Sequence, residues 1–283
     1  MSERESFIHY EKNRRKGVVT WQSPHIQQTM SISFKDHLYL WCHNAGVYNQ
    51  GIPGLSEKSF MAPAEAARTL GIDNILMVSY GGKPTPPFEP IQEQFSHFKR
   101  VIWSIIGDSA STYDNPEAYV DEVISLHKRH PNVTGGIMDD FFNPGRTFDL
   151  PAISKKMHDA TLPLWVVLYQ HQLTESGILE QLENCDVITF WTWKVRDLFE
   201  MEENLAMLHK RFPSKKLVAG LYLWNFGDET PLTVHHMQYQ CEVALDYLKT
   251  GIIDDIIVLG SPLIGMNLPT IDWTRNWIQE NSN

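Results

Sequence analysis

Eight short apolar runs, rich in β-branched and aromatic residues, recur along the chain with 23 to 39 residues between successive starts. They are HLYLWCH (37–43), NILMVSY (74–80), RVIWSIIG (100–107), GGIMDDF (135–141), PLWVVLYQ (163–170), DVITFWTW (186–193), KLVAGLYLW (216–224) and DIIVLGS (255–261). Most are almost continuously apolar, the pattern of strands covered on both faces. Each interval is long enough for a strand, a loop, a helix and a second loop.

Helical patterns fill most of the gaps. In NPEAYVDEVISLHKRHP, Asn115 is a candidate N-cap, Pro116 follows at N1, and Tyr119, Val123 and Leu126 share a face. Leu198, Met201, Leu205, Leu208 and Phe212 recur at steps of three and four, as do Met237, Cys241, Ala244 and Leu248. Shorter helices are expected over 62–70, 88–98, 149–161 and 174–184, and a last one over 271–280. Eight strand–helix units predict an α/β protein of the (β/α)₈ TIM-barrel class. Residues 37–283 form its single domain, and residues 1–36 are an N-terminal extension expected to pack on it. A doubly wound sheet would carry a glycine fingerprint leading into a helix. Gly81-Gly82 leads instead into the proline-rich KPTPPFEP.

Composition narrows the function. With 24 Lys+Arg against 34 Asp+Glu the net charge is −10, which argues against a nucleic-acid partner, since that needs basic surface. No run is long and apolar enough to span a bilayer, so no membrane partner is expected. The N-terminus MSERESFIHYEKNRRKG is charged and has no apolar h-region, so a cytoplasmic location is expected. Cys42, Cys185 and Cys241 are widely spaced, without CxxC or zinc spacing, and read as reduced core thiols. No cofactor or metal motif is present.

In a barrel of this class the chemistry gathers at the C-terminal ends of the strands. Those ends carry Trp41 and His43, Tyr80, Trp103, Tyr169 and His171, Trp191 and Trp193, and Tyr222, Trp224 and Asn225. Alternation along the sixth run turns Ile188 and Phe190 to the helices and Thr189, Trp191 and Trp193 inward. Along the seventh it turns Leu217, Ala219, Leu221 and Leu223 to the helices and Val218, Gly220, Tyr222 and Trp224 inward. So many rings around one mouth suit the C–H faces of sugars, and an oligosaccharide or glycoside is the expected ligand.

Asp139-Asp140, at the end of the fourth run, is the candidate catalytic pair. Mutual repulsion and aromatic neighbours favour keeping one carboxyl protonated as an acid while the other is ionised. Adjacent strand residues face opposite ways, so the chain must twist or bulge there for both to meet one substrate.

A strand ending in GGIMDDFF, within an aromatic-rimmed eight-strand pattern, resembles the (β/α)₈ glycoside hydrolases, in particular the substrate-assisted hexosaminidase, O-GlcNAc hydrolase and chitinase group. The resemblance implies that Asp139 orients the substrate's acetamido group, which attacks the anomeric carbon, while Asp140 protonates the leaving oxygen. It also implies that Tyr222 or Tyr169 bonds the amide and that Trp191 or Trp224 floors the pocket. The chitinase pattern DxxDxDxE is not met, and the strand-4 and strand-7 glutamates of the largest retaining group are missing. Asp228 or Glu229 is an alternative second carboxylate, in which case the carboxylate separation would bear on the stereochemical outcome.

Two rival classes stand beside this one. A metal-dependent sugar isomerase or hydrolase would recruit His43, Asp108, Asp140 and His171, although strand ends six and seven offer rings instead of ligands. A non-catalytic carbohydrate-binding barrel would keep the aromatics and tolerate loss of the acids. Oligomeric state is not legible in the sequence.

Overall fold

A computed structural model describes residues 33–106, 116–143 and 148–282. The eight runs become eight parallel strands: β1 Leu38–Cys42, β2 Asn74–Met77, β3 Arg100–Ile106, β4 Val133–Met138, β5 Leu164–Tyr169, β6 Val187–Trp191, β7 Lys216–Tyr222 and β8 Asp255–Leu259. They pair in sequence order, and β1 also pairs with β8, which closes the barrel. The α/β, (β/α)₈ expectation therefore holds.

The α-helices are α1 Pro63–Leu70, α2 Glu89–Gln92, α3 Pro116–Arg129, α4 Leu150–Asp159, α5 Ile178–Gln181, α6 Met201–Arg211, α7 Val234–Thr250 and α8 Pro269–Asn281. Helices α3, α6 and α7 bury the residues their periodicity selected, among them Tyr119, Val123, Leu126, Leu205, Leu208, Met237, Cys241 and Ala244. The Asp149 carboxylate caps α4 by accepting from the Ala152 backbone N–H at 3.0 Å, and the Thr233 hydroxyl caps α7 by accepting from His236 at 3.2 Å. The second and fifth helices are single turns that continue as 3-10 helix, shorter than the spans expected there. Residues 1–32, most of the proposed extension, lie outside the described residues, as do Asp108 and the cap candidate Asn115.

Two apolar layers follow from strand alternation. One lies between strands and helices and includes Leu38, Leu40, Ile188, Phe190, Leu217, Ala219 and Leu221. The other fills the barrel and includes Tyr39, Trp41, Ile102, Ile137, Trp165, Val167, Val187, Trp191, Val218 and Tyr222. The upper part of this inner layer is aromatic, and there the barrel opens into a pocket.

Candidate active site

The end of β4 sets the geometry. Ile137 points into the barrel, Met138 points to the helices, and Asp139 returns inward. Asp140 then takes a left-handed conformation, φ 50°, uncommon for a residue with a Cβ but tolerated by Asp. That one backbone turn breaks the alternation, so both carboxyl groups line the same pocket. This is the twist the sequence required. Asp139 is 7% exposed and Asp140 is half-buried.

The pocket has a volume of about 210 Å³. A run of rings in contact forms its wall. Trp41 meets Trp191 edge-on at 5.3 Å, Trp191 meets Tyr222 at 5.1 Å, and Tyr222 meets Phe226 at 5.7 Å. Phe226 meets Tyr48 at 6.0 Å, and Tyr48 meets Tyr80 at 5.4 Å. Trp193 stands perpendicular to Tyr169 at 5.5 Å. These separations are those at which aromatic quadrupoles attract.

Two phenols share the pocket with the acids. The Tyr169 hydroxyl hydrogen-bonds Asp140, and its pKa is raised well above the usual phenol value, first by burial and then by the negative charge of Asp139. Tyr222 is raised for the same two reasons in the same order. Both hydroxyls therefore stay protonated and can donate.

His43 has a defined tautomer. The Trp41 indole N–H can only donate, and it donates to His43 Nε2 at 3.1 Å, so Nδ1 carries the proton and donates to the Val78 carbonyl at 2.8 Å. Burial pushes the His43 pKa down to about 4, against the raising effect of the Val78 bond. The ring is thus neutral near pH 7, and both its nitrogens are engaged, Nε2 by Trp41 and Nδ1 by the Val78 carbonyl.

Of the residues singled out from the sequence, Asp139, Asp140, Trp41, His43, Tyr80, Tyr169, Trp191, Trp193 and Tyr222 meet in this pocket. Four others do not. Trp103 points to the helix layer, stacks on Phe88 at 4.5 Å and donates its N–H to Gln92 at 2.7 Å, because Ile102 takes the inward position on β3. Trp224 lies beyond the end of β7, where strand alternation no longer governs direction, and it packs in the outer layer. Asn225 ties the β7–α7 loop together through Thr230 and Asp228, at 2.9 and 3.2 Å. His171 is exposed and stacks parallel to Tyr169 at 5.5 Å.

Tyr48, Ile52 and Phe226, in the connections that follow β1 and β7, also line the pocket, as do Val167 and Leu259. Loop residues carry no strand period, so nothing in the spacing marks them. Of the two alternative carboxylates, Asp228 lines a separate cleft, and neither it nor Glu229 lines this pocket. Among the described residues no group of three His, Cys, Asp or Glu side chains could hold a metal ion, and Asp108 of the metal-dependent alternative lies outside them.

No protein-family profile matches the chain, and no curated protein matches it by sequence. Solved structures do match in shape. A provisionally named alpha-L-fucosidase from Bacteroides thetaiotaomicron is 11% identical with a TM-score of 0.55, covering 90% of this chain and 99% of that one. The GH18 chitinase ChiB of Flavobacterium johnsoniae is 12% identical with a TM-score of 0.54, covering 86% and 94%. A xylanase–alpha-amylase inhibitor protein in complex with trehalose is 12% identical with a TM-score of 0.51, covering 87% and 98%. At such identities the likeness is one of fold alone, that of the closed (β/α)₈ barrel.

Proposed function

We propose that the protein is a carbohydrate-active barrel that cleaves a glycoside, with Asp139 and Asp140 as the working acids and an N-acetylhexosamine as the sugar in the pocket. One observation carries the reading. The left-handed turn at Asp140 brings two adjacent carboxyl groups into one aromatic pocket, with a buried phenol bonded to one of them. The rings offer apolar faces to the C–H surface of a pyranose, and the acids and phenols offer polar partners to its substituents.

In this reading Asp139, the more buried acid, orients the acetamido group of the substrate. The acetamido oxygen attacks the anomeric carbon as the glycosidic C–O bond breaks. Asp140 gives its proton to the leaving oxygen, and afterwards takes one from the water that opens the cyclic intermediate. Tyr169, bonded to Asp140, holds that carboxyl in place. The fold likeness to a chitinase and to a fucosidase supports a carbohydrate ligand, and the trehalose complex of the inhibitor protein supports one in a barrel of this kind too.

The test is a pair of substitutions assayed on two N-acetylhexosaminides, one with a poor alkyl leaving group and one with an aryl leaving group. Asp140→Asn is expected to cost about 10²–10⁴-fold on the first, the usual worth of general acid catalysis, and less on the second. Asp139→Asn is expected to slow both alike. Full rates in both variants overturn the acid assignment. Glycan binding without any cleavage by the wild type replaces the hydrolase with a non-catalytic binding barrel. Activity lost to a chelator and restored by a divalent ion replaces it with the metal-dependent class.

A further inference from the structure

A second opening lies on the same rim of the barrel. It has a volume of about 390 Å³ and is walled by Val195 and Arg196 after β6 and by Asn225, Asp228, Thr230, Pro231, Thr233 and His236 after β7. Its chemistry differs from that of the aromatic pocket, because it contains no aromatic side chain apart from the His236 imidazole. Arg196 brings a fork of N–H donors, Asp228 a carboxylate acceptor, and the two threonines hydroxyl groups.

The two openings share a partition. Phe226 walls the aromatic pocket, the next residue but one, Asp228, walls the polar cleft, and Gly227 stands between them. A Cβ on Gly227 would overlap both the Trp193 indole and the Trp193 carbonyl, so this loop can lie against Trp193 only with glycine there. Trp193 faces the aromatic pocket on one side and is 38% exposed, among the most exposed large apolar side chains described. Phe226–Gly227–Asp228 thus runs from the wall of the aromatic pocket, against Trp193, to the wall of the polar cleft. The loop that builds the cleft is held by reciprocal backbone bonds between Asn225 and Thr230, both 3.2 Å, and by the Asn225 side chain bonding Asp228 and Thr230.

We infer that the polar cleft is a second sugar subsite, so that the ligand is an oligosaccharide reaching over Trp193 and not a single sugar attached to something else. This rests on the reading of the aromatic pocket as a glycan site. The mixed charge selects the ligand class: Asp228 opposes an anion and Arg196 opposes a cation, whereas a neutral ring with many hydroxyls can donate to the one and accept from the other. The exposed Trp193 face supplies the apolar surface between the two polar ends.

The experiment is calorimetric titration of the Asp140→Asn protein, which keeps the ligand uncut, with N-acetylglucosamine and with its β-1,4-linked dimer and trimer. Binding of the trimer at least tenfold tighter than the monosaccharide is expected. Arg196→Ala, an exposed position, and Pro231→Trp, which fills the cleft with a ring, should each remove most of that gain and leave monosaccharide affinity as it was. Equal affinity for monosaccharide and trimer, or a gain that survives both substitutions, overturns the second subsite and leaves the aromatic pocket reading intact. Failure of all three sugars to bind overturns both.

Discussion

Trp191 on β6 and Gly220 on β7 are partners in the strand register, and the indole of the first occupies the space where the second would carry a Cβ. Gly220 is thus the reason a ring as large as Trp191 can lie inside the barrel, 1% exposed, and still form part of the pocket wall with Trp41 and Tyr222. A glycine inside a strand weakens the strand unless something approaches it closely, and here the indole does.

Gly220→Ala should therefore be both destabilising and damaging to the site. Overpacking of a filled core costs about 1–3 kcal/mol. The expected result is a lower thermal midpoint together with weaker glycan binding, because Trp191 must move into the pocket. A variant with unchanged stability and unchanged affinity would show that the ring has room to retreat.

Tyr169→Phe removes the hydroxyl that bonds Asp140 while keeping the ring that packs against Trp193. A hydrogen bond to a charged group is worth about 1.5–3 kcal/mol. Turnover should fall by tenfold or more while the thermal midpoint changes little. An equal loss from Tyr169→Leu and from Tyr169→Phe would confirm that the hydroxyl matters, whereas a loss confined to the Leu variant would assign the ring alone.

At the opposite end of the barrel, His37 Nδ1 lies 2.7 Å from the Asp254 carbonyl and 3.1 Å from the Asp255 carboxylate. The Asp255 bond raises the His37 pKa above 6.5, with burial opposing and the Asp254 carbonyl assisting. Burial raises Asp255 above 3.8 despite His37, Arg100 and Lys216. Both folded-state values thus exceed the unfolded ones. The contribution of His37 is complete below pH 6.5 and is lost as pH rises through its folded value, and charging Asp255 costs stability as pH rises from the carboxylate range. Urea midpoints should decline above pH 6.5 in the wild type. In His37→Gln that upper decline should vanish, with a lower midpoint at pH 6 because Asp255 loses its hydrogen-bonded cation.

The three cysteines are buried and carry no disulfide. Burial pushes the Cys185 thiol up to about 12 and also raises the Cys42 and Cys241 thiols. Since the thiolate is the reactive form, none should react with a disulfide reagent in the native protein, and all three should react in denaturant. Rapid labelling of any one under native conditions would reveal local opening of the layer that holds it.

The barrel was legible in the chain because burial on both faces forces near-continuous apolar runs, and because helices between parallel strands need a minimum length. The inward direction of Thr189, Trp191, Val218 and Tyr222 was legible for a similar reason: the two-residue period holds along a regular strand. It failed at Trp103, where a reading from the rim could not tell which face of β3 the ring takes, and at Trp224, where the strand had already ended. The shortened helices after β2 and β5 follow the same rule, since weakly periodic segments leave tertiary packing to choose their form.

The pocket itself belongs to the three-dimensional arrangement. Strand order and spacing name the residues near the rim, but whether adjacent carboxyl groups face one ligand depends on a single backbone rotation at Asp140, which no residue period encodes. Tyr48 and Phe226 join the wall from loops distant in sequence, brought within 6.0 Å of each other by closure of β1 onto β8. Periodicity is a local property and reports which face an element buries. Convergence of loops from different strands is a property of the closed barrel, and it exists only once every strand has found its partner.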